Sequence, residues 1–528
     1  MTTSYSKLLC LSALVLQILS ACNPDNPANA VDSVKDKTTP LPNIVIFYVD
    51  DLGYGDVGSY GAIGVETPNI DRLAANGVRF TDAHSSAATC TPSRYSLLTG
   101  EHGFRRNAAI LRGDAPLLIP TDKPTLPAML KRAGYTTAVV GKWHLGLGDG
   151  DLDWNAAIRP GPLEIGFDYA FLLPATGDRV PTVYVEDHQV VNLDSADPIE
   201  VSYKEKVGSR PTGYENPELM RYKADSQHSK TIVNGVSRIG HMGGGESALW
   251  IDEEFPDVFS AKAAEFIRAN KDGPFFLFHS FHDIHVPRLP NPRFKGKSTM
   301  GPRGDAIAQT DWIVGALVDE LEELGISDRT LLIFTSDNGP VLNDGYEDQA
   351  VELLGEHKPA GPLRGSKYSA YEGGTRVPTI TYWPGKIKPG SSDALVSQLD
   401  IYASIARLVD EELSDHEATD SRDQLAVWLG QSNAGRDYLV EESVGGLVLR
   451  SGSWKYIPGV ENPRRGTNTK GVEVGFAKVP QLYELGTDIG EQVNLAAKNP
   501  GLVSTLQLQF ERIVGDTYRP GLEEQGQE

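Results

Sequence analysis

The chain has 528 residues, 40% of them hydrophobic and 23% charged, so it can bury the core of a large globular protein. Its formal net charge of −22 argues against nucleic-acid binding, although a local cluster of cations in a cleft still permits an anionic substrate. The length is compatible with about two to four domains, or with one large α/β domain and an appendage.

The amino terminus is typical of a bacterial export signal over residues 1–22. Lys7 precedes an apolar run at 8–19 that is too short for a stable membrane anchor, and the run ends in a lipobox-like Leu-Ser-Ala-Cys with Cys22 as its cysteine. Residues 23–40 are polar and predict a flexible tether. We therefore predict a lipoprotein of the cell envelope, anchored through Cys22 at the outer membrane. A periplasmic or secreted protein released by ordinary signal cleavage is the alternative.

Four apolar runs predict buried strands, at 43–49, 136–140, 274–278 and 330–336. Such continuous β-branched and aromatic runs are typical of parallel strands buried on both faces. Segments with apolar residues at helical spacing lie between them, at 69–76, 126–133, 258–269 and 306–324. We predict an α/β fold, with a large mixed, mostly parallel sheet sandwiched by helices. Ligands of such sheets lie beyond the carboxyl ends of the strands, where polar residues follow each of these runs.

The first and last runs end in oxygen-bearing side chains. Asp50 and Asp51 follow the first run, and Asp337 and Asn338 follow the last. This set of hard oxygen ligands suits Ca²⁺ or Mg²⁺ and disfavours zinc. The alternative is that each residue merely caps a helix or forms a turn.

The second and third runs end in basic residues. Lys142 and His144 follow one of them and can both face a cleft while Trp143 turns inward. The other runs into His279, His282 and His285, of which the first two are equally compatible with the core and with substrate contact.

Cys90 stands out in a chain with three cysteines, because the other two, Cys10 and Cys22, lie near the amino terminus. A structural disulfide is therefore an unsuitable explanation for it. Pro92 suits the first position of a helix over 93–98, whose free N–H groups and dipole would favour an anion beside Arg94. A buried free cysteine and a plain surface arginine are the alternatives.

The remaining regions predict how the chain is organised around this sheet. Residues 145–250 are rich in Gly, Pro and Asp and are expected to form insertions over the site. A catalytic domain over 41–410, ending in a helix at 401–408, should precede a smaller α+β domain over 411–528. That domain should hold antiparallel strands at 446–450, 454–457 and 480–485 and a helix at 502–513. A basic stretch follows His285 and could meet an anionic glycan or form a solvated loop: Arg288, Arg293, Lys295, Lys297 and Arg303.

Several strings resemble signatures of type I sulfatases, a family of the alkaline-phosphatase-like superfamily. Cys90-Thr91-Pro92-Ser93-Arg94, with the Leu-Leu-Thr-Gly that follows at 97–100, resembles the first signature, and Gly-Lys-Trp-His-Leu-Gly at 141–146 resembles the second. His285-Val286-Pro287 and the segment 363–374 around Lys367 match two further family elements. The resemblance extends over about residues 41–510.

The resemblance implies a modified nucleophile and a calcium site. In the family the cysteine, here Cys90, is oxidised to formylglycine by a formylglycine-generating or anaerobic sulfatase-maturating enzyme. Residues matching Asp50, Asp51, Asp337 and Asn338 bind calcium, with Mg²⁺ less suitable, and the ion also touches residue 90.

The resemblance also implies roles for the basic residues. Arg94, Lys142 and Lys367 would stabilise the sulfate oxygens, and His285 would protonate the departing alcohol. One hydroxyl of the aldehyde hydrate would attack sulfur, and deprotonation of the other, by His144, would expel sulfate. A family sulfate contact from the 150–180 region has no assigned residue here.

The predicted activity is hydrolysis of a sulfate ester on a polysaccharide or oligosaccharide. Algal galactans such as carrageenan and animal glycosaminoglycans are both open as substrates, as is the oligomeric state. Two rival hypotheses are a phosphonate or phosphate monoester hydrolase of the same superfamily and a catalytically inactive glycan-binding lipoprotein.

Overall fold

The computed structural model describes residues 40–150, 152–463 and 471–515. The predicted signal peptide with Cys22, and the tether up to residue 39, lie outside the described residues. Across the described ranges, every helix is too short or too polar to cross a membrane. The chain from Leu41 onward forms one compact unit, and the division into 41–410 and 411–528 stays a prediction.

The strands of the described residues are, in chain order, β1 (Asn43–Val49), β2 (Val78–Phe80), β3 (Ala83–His84), β4 (Thr136–Lys142), β5 (Tyr169–Leu173), β6 (Val185–Glu186), β7 (Gln189–Val190), β8 (Glu200–Ser202), β9 (Ile232–Val233), β10 (Val236–Ser237), β11 (His241–Gly243), β12 (Phe275–Ser280), β13 (Thr330–Ser336), β14 (Thr379–Tyr382), β15 (Gly390–Ser392), β16 (Val396–Ser397), β17 (Tyr438–Ser443), β18 (Gly446–Ser451), β19 (Trp454–Ile457) and β20 (Gln481–Glu484). The α-helices are α1 (Pro68–Asn76), α2 (Cys90–Thr99), α3 (Leu126–Arg132), α4 (Phe255–Asn270), α5 (Gly301–Glu323), α6 (Glu372–Thr375), α7 (Asp400–Val409), α8 (Leu425–Trp428) and α9 (Pro500–Val514).

The predicted sheet forms the centre of the molecule. Its strand order is β15-β2-β14-β13-β1-β12-β4-β5-β6-β7. The four predicted strands are neighbours, β13-β1-β12-β4, and they pair in parallel with β5 alongside. Strand β5 lies within 145–250, so part of the region expected to form insertions belongs to the core sheet. Because β13, β1, β12 and β4 are parallel, their carboxyl ends meet at one edge of the sheet. Candidate site residues lie at these four strand ends.

Helices cover both faces of this sheet. Alternate residues of β1 point to opposite faces, so Ile44 and Ile46 enter one core cluster while Val45 and Phe47 enter the other. Side chains of α2, α3 and α7 pack in the first cluster, and side chains of α1, α4 and α5 pack in the second. The predicted helices agree with the observed ones to within about five residues at each end, and the predicted fold class is confirmed.

A smaller antiparallel sheet follows in the carboxy-terminal part. Its order is β17-β18-β19-β20. Leu506, Phe510 and Val514 of α9 pack on it against Leu449 and Leu482. The predicted strands and helix of this part are all present, and β17 is an additional strand that pairs with β18.

Candidate active site

Residue 90 begins helix α2. Thr89 before it is extended, so the helix starts at Cys90, and Pro92 is its third residue rather than the predicted first. All ten residues of α2 are buried. Burial raises the pKa of the Cys90 thiol well above its ordinary value, so an unmodified cysteine here stays protonated and is a poor nucleophile.

Three carboxylates surround residue 90. Ligand atoms of Asp50, Asp51 and Asp337 lie within 4.8 Å of one another and of the Cys90 sulfur, and the thiol donates to Oδ1 of Asp50 at 3.6 Å. Asp51 has a left-handed backbone with φ of 60°, a conformation that aspartate adopts more readily than most residues other than glycine. The predicted metal-binding residues therefore come together at the carboxyl ends of β1 and β13.

Three buried cations touch these carboxylates. Arg94 donates to Oδ2 of Asp337 from Nε at 3.0 Å and from Nη2 at 2.7 Å. The ammonium group of Lys367 lies 2.9 Å from Oδ2 of Asp51. Lys142 donates to Oδ2 of Asp50. Each carboxylate thus has one positive partner, and all three partners face the space around residue 90.

The oxygen groups of the cluster fit a divalent cation. Burial raises the pKa of Asp50 well above its ordinary value, and burial also raises the pKa of Asp51. Asn338 donates from Nδ2 to Oδ1 of Asp51 at 2.8 Å, while its own Oδ1 is buried without a hydrogen-bond partner. A cation bound to these oxygens would stabilise both carboxylates and satisfy the unpaired amide oxygen.

His144 lies beside the first turn of α2 and is held in the neutral form. The hydroxyl of Thr91 donates to the His144 carbonyl at 3.1 Å, and the ring Nε2 lies 3.0 Å from the Leu111 carbonyl. Because that partner is an acceptor, Nε2 carries the hydrogen and the buried Nδ1, which has no partner, is free to accept a proton. Burial lowers the pKa of His144 well below its ordinary value. The ring therefore has the protonation state of a general base.

His285 borders the carboxylate cluster, with a ring nitrogen within 4.8 Å of a carboxylate oxygen of Asp50 and of the Cys90 sulfur. Its Nδ1 lies 2.7 Å from the Val286 carbonyl, so Nε2 faces Oδ2 of Asp51 at 3.9 Å. Burial lowers the pKa of His285 well below its ordinary value, and Lys367 and Lys142 lower it further. Proton donation by this ring therefore requires an anionic substrate to offset the two lysines.

His279 and His282 have different surroundings. The ring of His279 packs edge-on against Phe47 and Phe281, with centroids 6.3 Å and 4.7 Å away. The ring of His282 lies 6.0 Å from that of His285, and neither of its nitrogens has a hydrogen-bond partner. Burial lowers the pKa of both to about 3. His279 is thus a core residue, whereas His282 borders the site.

Two groups of polar residues near the site were not predicted from the sequence. Asp344 accepts hydrogen bonds from Lys367 at 3.2 Å and from Tyr368 at 3.1 Å, and it lies 4.0 Å from Nε2 of His285. Its Asn-Asp-Gly context is that of an ordinary turn, so sequence offers no signal for it. Asp178 pairs with Arg179 at 2.6 Å and with His228 at 3.2 Å, within the predicted insertions.

The basic stretch after His285 is not a continuous cationic surface. Arg288 forms a buried ion pair with Asp348 at 2.7 Å, and Arg303 forms one with Asp56 at 2.6 Å. The guanidinium of Arg293 is paired with Asp257 at 2.6 Å. Lys295 and Lys297 are exposed. The expectation that this whole stretch meets a glycan is therefore unsupported for its arginines.

The chain belongs to the sulfatase family, whose profile matches residues 42–411. It is 48% identical to an N-acetylgalactosamine-6-O-sulfatase of Bacteroides thetaiotaomicron, over 94% of this chain and 97% of the relative. It is 33% identical to the steryl-sulfatase of Rattus norvegicus, over 80% of this chain and 74% of the relative. The prediction of a sulfatase is confirmed.

Solved structures agree with this assignment. A structure from work on the metabolism of multiple glycosaminoglycans by Bacteroides thetaiotaomicron superimposes with a TM-score of 0.88 at 49% identity. The superposition covers 90% of this chain and 99% of that chain. The similarity therefore includes the central sheet, the insertions and the carboxy-terminal part.

Proposed function

We propose that this sulfatase removes the 6-O-sulfate of N-acetylgalactosamine residues in glycosaminoglycan fragments. The observation that carries this proposal is the 48% identity to an N-acetylgalactosamine-6-O-sulfatase over nearly the whole of both chains. A match of this extent includes the insertions around Asp178 and His228, where contacts to the sugar are expected to lie. It favours glycosaminoglycans over algal galactans among the substrates that the sequence left open.

The residues around position 90 support a role for formylglycine and calcium. Asp50, Asp51, Asp337 and Asn338 would hold the ion, which would supply positive charge for a sulfate oxygen. The formylglycine made from Cys90 would supply a hydroxyl nucleophile when hydrated. Three acidic side chains already face three basic ones, so a divalent ion would leave a positive excess that favours an anionic ester.

The basic side chains would act on different atoms of the ester. Lys142 and Lys367 would orient the sulfate oxygens, and Arg94 would stay paired with Asp337 and fix that carboxylate. His144, with its free Nδ1, would accept a proton from the nucleophile hydrate. His285 would donate a proton to the sugar oxygen as the S–O bond breaks.

The sugar would extend past His285 toward the insertions. Asp178 is buried there, and the adjacent Arg179, with a hydrogen bond from His228, holds its pKa well below the ordinary value against the effect of burial. Such ionised, hydrogen-bonded groups are suited to recognise sugar hydroxyls, because a wrong isomer would leave a buried polar group unpaired.

A substrate panel tests this proposal. The enzyme should release sulfate from N-acetylgalactosamine-6-sulfate faster than from N-acetylglucosamine-6-sulfate, N-acetylgalactosamine-4-sulfate or carrageenan oligosaccharides. Turnover of an aryl sulfate without any turnover of these sugars would contradict it. Faster hydrolysis of an aryl phosphonate ester than of the matched aryl sulfate would favour the phosphonate hydrolase. Binding of the sugars without sulfate release, by protein with modified residue 90, would favour the inactive glycan-binding protein.

We also propose a lipid anchor at Cys22. The lipobox-like string before Cys22 supports it, and a bound enzyme could act on glycan fragments at the cell surface. A Cys22→Ala variant should move from the membrane fraction to the soluble fraction with its specific activity unchanged. Membrane association that survives this change would contradict the anchor.

A further inference from the structure

A second buried cluster of charge lies away from the site, between the central sheet and the carboxy-terminal sheet. We refer to it as the joint; it consists of Asp82, His84, Glu372, Arg376, Glu441, Arg450 and Lys455. His84 of β3, which pairs with β16 outside the central sheet, bridges the segment after β2 and the carboxy-terminal sheet, with Nε2 2.9 Å from Asp82 and Nδ1 2.7 Å from Glu441. The mechanism proposed above uses none of these residues.

The carboxy-terminal sheet supplies three of the seven residues of the joint: Glu441, Arg450 and Lys455. Lys455 of β19 donates to Glu441 at 2.6 Å and to Glu372 at 3.0 Å. Arg450 of β18 donates to the other oxygen of Glu372 at 2.6 Å. Glu372, Glu441 and Lys455 are all fully buried, so each would be left with an uncompensated charge or polar group if its partner were removed.

The joint does not have the character of a metal site. Asp82, His84 and Glu372 lie close enough to hold an ion. However, Arg450 and Arg376 already pair with both carboxylates. The lysine and arginine groups therefore occupy the positions that a cation would need.

Both chain segments that the joint holds lead directly into the active site. His84 ends β3, six residues before Cys90, and Glu372 begins α6, five residues after Lys367. Main-chain hydrogen bonds tie these segments together, from Ser85 to Thr375 at 2.8 Å and from Tyr368 to Ala88 at 2.8 Å.

The carboxy-terminal strand β17 adds further bonds to the same two segments. The amide of Ala88 donates to the carbonyl of Glu442 at 2.7 Å, and the amide of Val444, the residue after β17, donates to the carbonyl of Tyr368 at 3.2 Å. The hydroxyl of Thr375 donates to Glu441. The segment before Cys90 and the segment after Lys367 are thus both bound to β17 and to each other.

From these contacts we propose that the joint positions the active site: the carboxy-terminal sheet, through Glu441 and Lys455, sets the separation of residue 90 and Lys367. This inference rests on the proposed roles of those two residues. His84, Thr375 and Glu441 are then positioning residues, because they act through the segments they hold and do not touch the substrate. A small displacement of Lys367 from the sulfate would weaken binding and slow the reaction.

The test compares two ion pairs that involve the carboxy-terminal part. Glu441→Gln weakens the joint. Asp400→Asn weakens the matched buried pair between α7 and the segment before β17, where Arg436 donates to Asp400 at 2.6 Å. The other side-chain hydrogen bonds of this pair go to Arg422 and Asp420, not to residue 90 or Lys367. Thr375→Val is a milder change that removes one hydrogen bond to Glu441 of the joint. It keeps the test usable if Glu441→Gln folds poorly.

Both pairs should contribute to stability, but only the joint should control the reaction. For Glu441→Gln and Thr375→Val, assayed well below their unfolding temperatures, we expect kcat/KM to fall by about 10- to 100-fold, with a raised KM. Amide hydrogen exchange should become faster over 84–90 and 364–376. Asp400→Asn should lower the unfolding temperature while its kcat/KM stays within about twofold. Equal losses of kcat/KM in the joint variants and in Asp400→Asn, or unchanged exchange in both segments, would overturn the proposal.

Lys367→Ala separates failure of this inference from failure of the proposed site. If Lys367→Ala keeps full activity, the assignment of Lys367 is wrong whatever the joint variants do. If Lys367→Ala is inactive while Glu441→Gln and Thr375→Val are fully active, the positioning role alone is wrong. The exchange measurement reports on the two segments without any assay of activity.

Discussion

The edge of the central sheet and the joint are both buried clusters of three carboxylates and three lysines or arginines, yet the pKa values of two edge carboxylates, Asp50 and Asp51, are raised, whereas those of all three joint carboxylates are lowered. In the joint, burial opposes ionisation, but interleaved cations outweigh it and hold the pKa of Glu372 well below its ordinary value and that of Glu441 at about 2. At the edge, burial raises the pKa of Asp50 well above its ordinary value, and the neighbouring carboxylate of Asp337 raises it further. Burial also opposes ionisation of the third edge carboxylate, Asp337, but Arg94 outweighs it and lowers the pKa.

The arrangement of the charges explains this difference. Lys455 lies between Glu441 and Glu372 and contacts both, so the joint is compensated by its own residues. At the edge, oxygens of Asp50, Asp51 and Asp337 lie within 4.8 Å of one another and of the Cys90 sulfur, so the three acids repel one another. Binding of an additional cation and an anionic substrate would therefore stabilise the charges at the edge of the sheet. The joint would not be stabilised in this way. Substitutions at the edge should therefore lower the activity. Substitutions at the joint should lower both the activity and the stability of the fold.

The largest expected effect is that of removing the side chain of residue 90. Cys90→Ala should lower sulfate release by about 10⁵-fold or more, because no nucleophile can form. Its unfolding temperature should stay within a few degrees of that of the parent, since the joint is intact. Substantial sulfate release by this variant would contradict the nucleophile assignment.

His285→Ala should distinguish leaving groups. Hydrolysis of a sugar sulfate, whose alkoxide needs a proton, should slow by about 10²- to 10⁴-fold. Hydrolysis of a nitrophenyl sulfate should slow much less, because its phenolate is a stable leaving group. Parallel measurement of kcat on the two substrates checks this, and equal losses on both would argue against a proton-donor role.

Asn338→Ala should weaken calcium binding. Loss of the amide oxygen should raise the calcium concentration needed for half-maximal activity by about 10- to 100-fold. The calcium concentration that gives half of the rise in unfolding temperature should increase by the same factor. The control is Asn76→Ala, at the exposed end of α1. A parent enzyme that keeps its activity after chelation, or an unchanged calcium requirement in the variant, would contradict the metal assignment.

The smallest effect concerns Glu491, which contacts the joint by accepting a hydrogen bond from the Glu372 amide at 2.8 Å. Burial raises the pKa of Glu491 to about 8. The folded protein therefore holds this proton more tightly than the unfolded chain, so its contribution to stability is greatest at low pH and is lost as pH rises to about 8. The unfolding temperature of the parent should fall as the pH rises through that window. In Glu491→Gln this fall should be smaller by a few degrees, which calorimetry can measure. Glu356→Gln, at an exposed glutamate, should leave the decline unchanged.

The edge of the sheet could be predicted from the sequence because strands buried on both faces form continuous apolar runs. These strands are parallel, so the residues at the carboxyl ends, after Val49, Lys142 and Ser336, meet at the same edge. The sequence could not predict β5, whose five residues lie among loop-like segments. Asp344 was missed because its neighbours are those of a turn. The joint was missed because ion pairs such as Arg450 with Asp82, 368 positions apart, follow no local period.

The most direct test of the account is the relation between the chemical state of residue 90 and activity. Mass spectrometry of the peptide containing residue 90, on preparations matured to different extents, gives the fraction of thiol replaced by aldehyde. We expect sulfate release from N-acetylgalactosamine-6-sulfate to rise in proportion to that fraction and to extrapolate to zero for the thiol form. Full activity in a preparation that retains the thiol would contradict it.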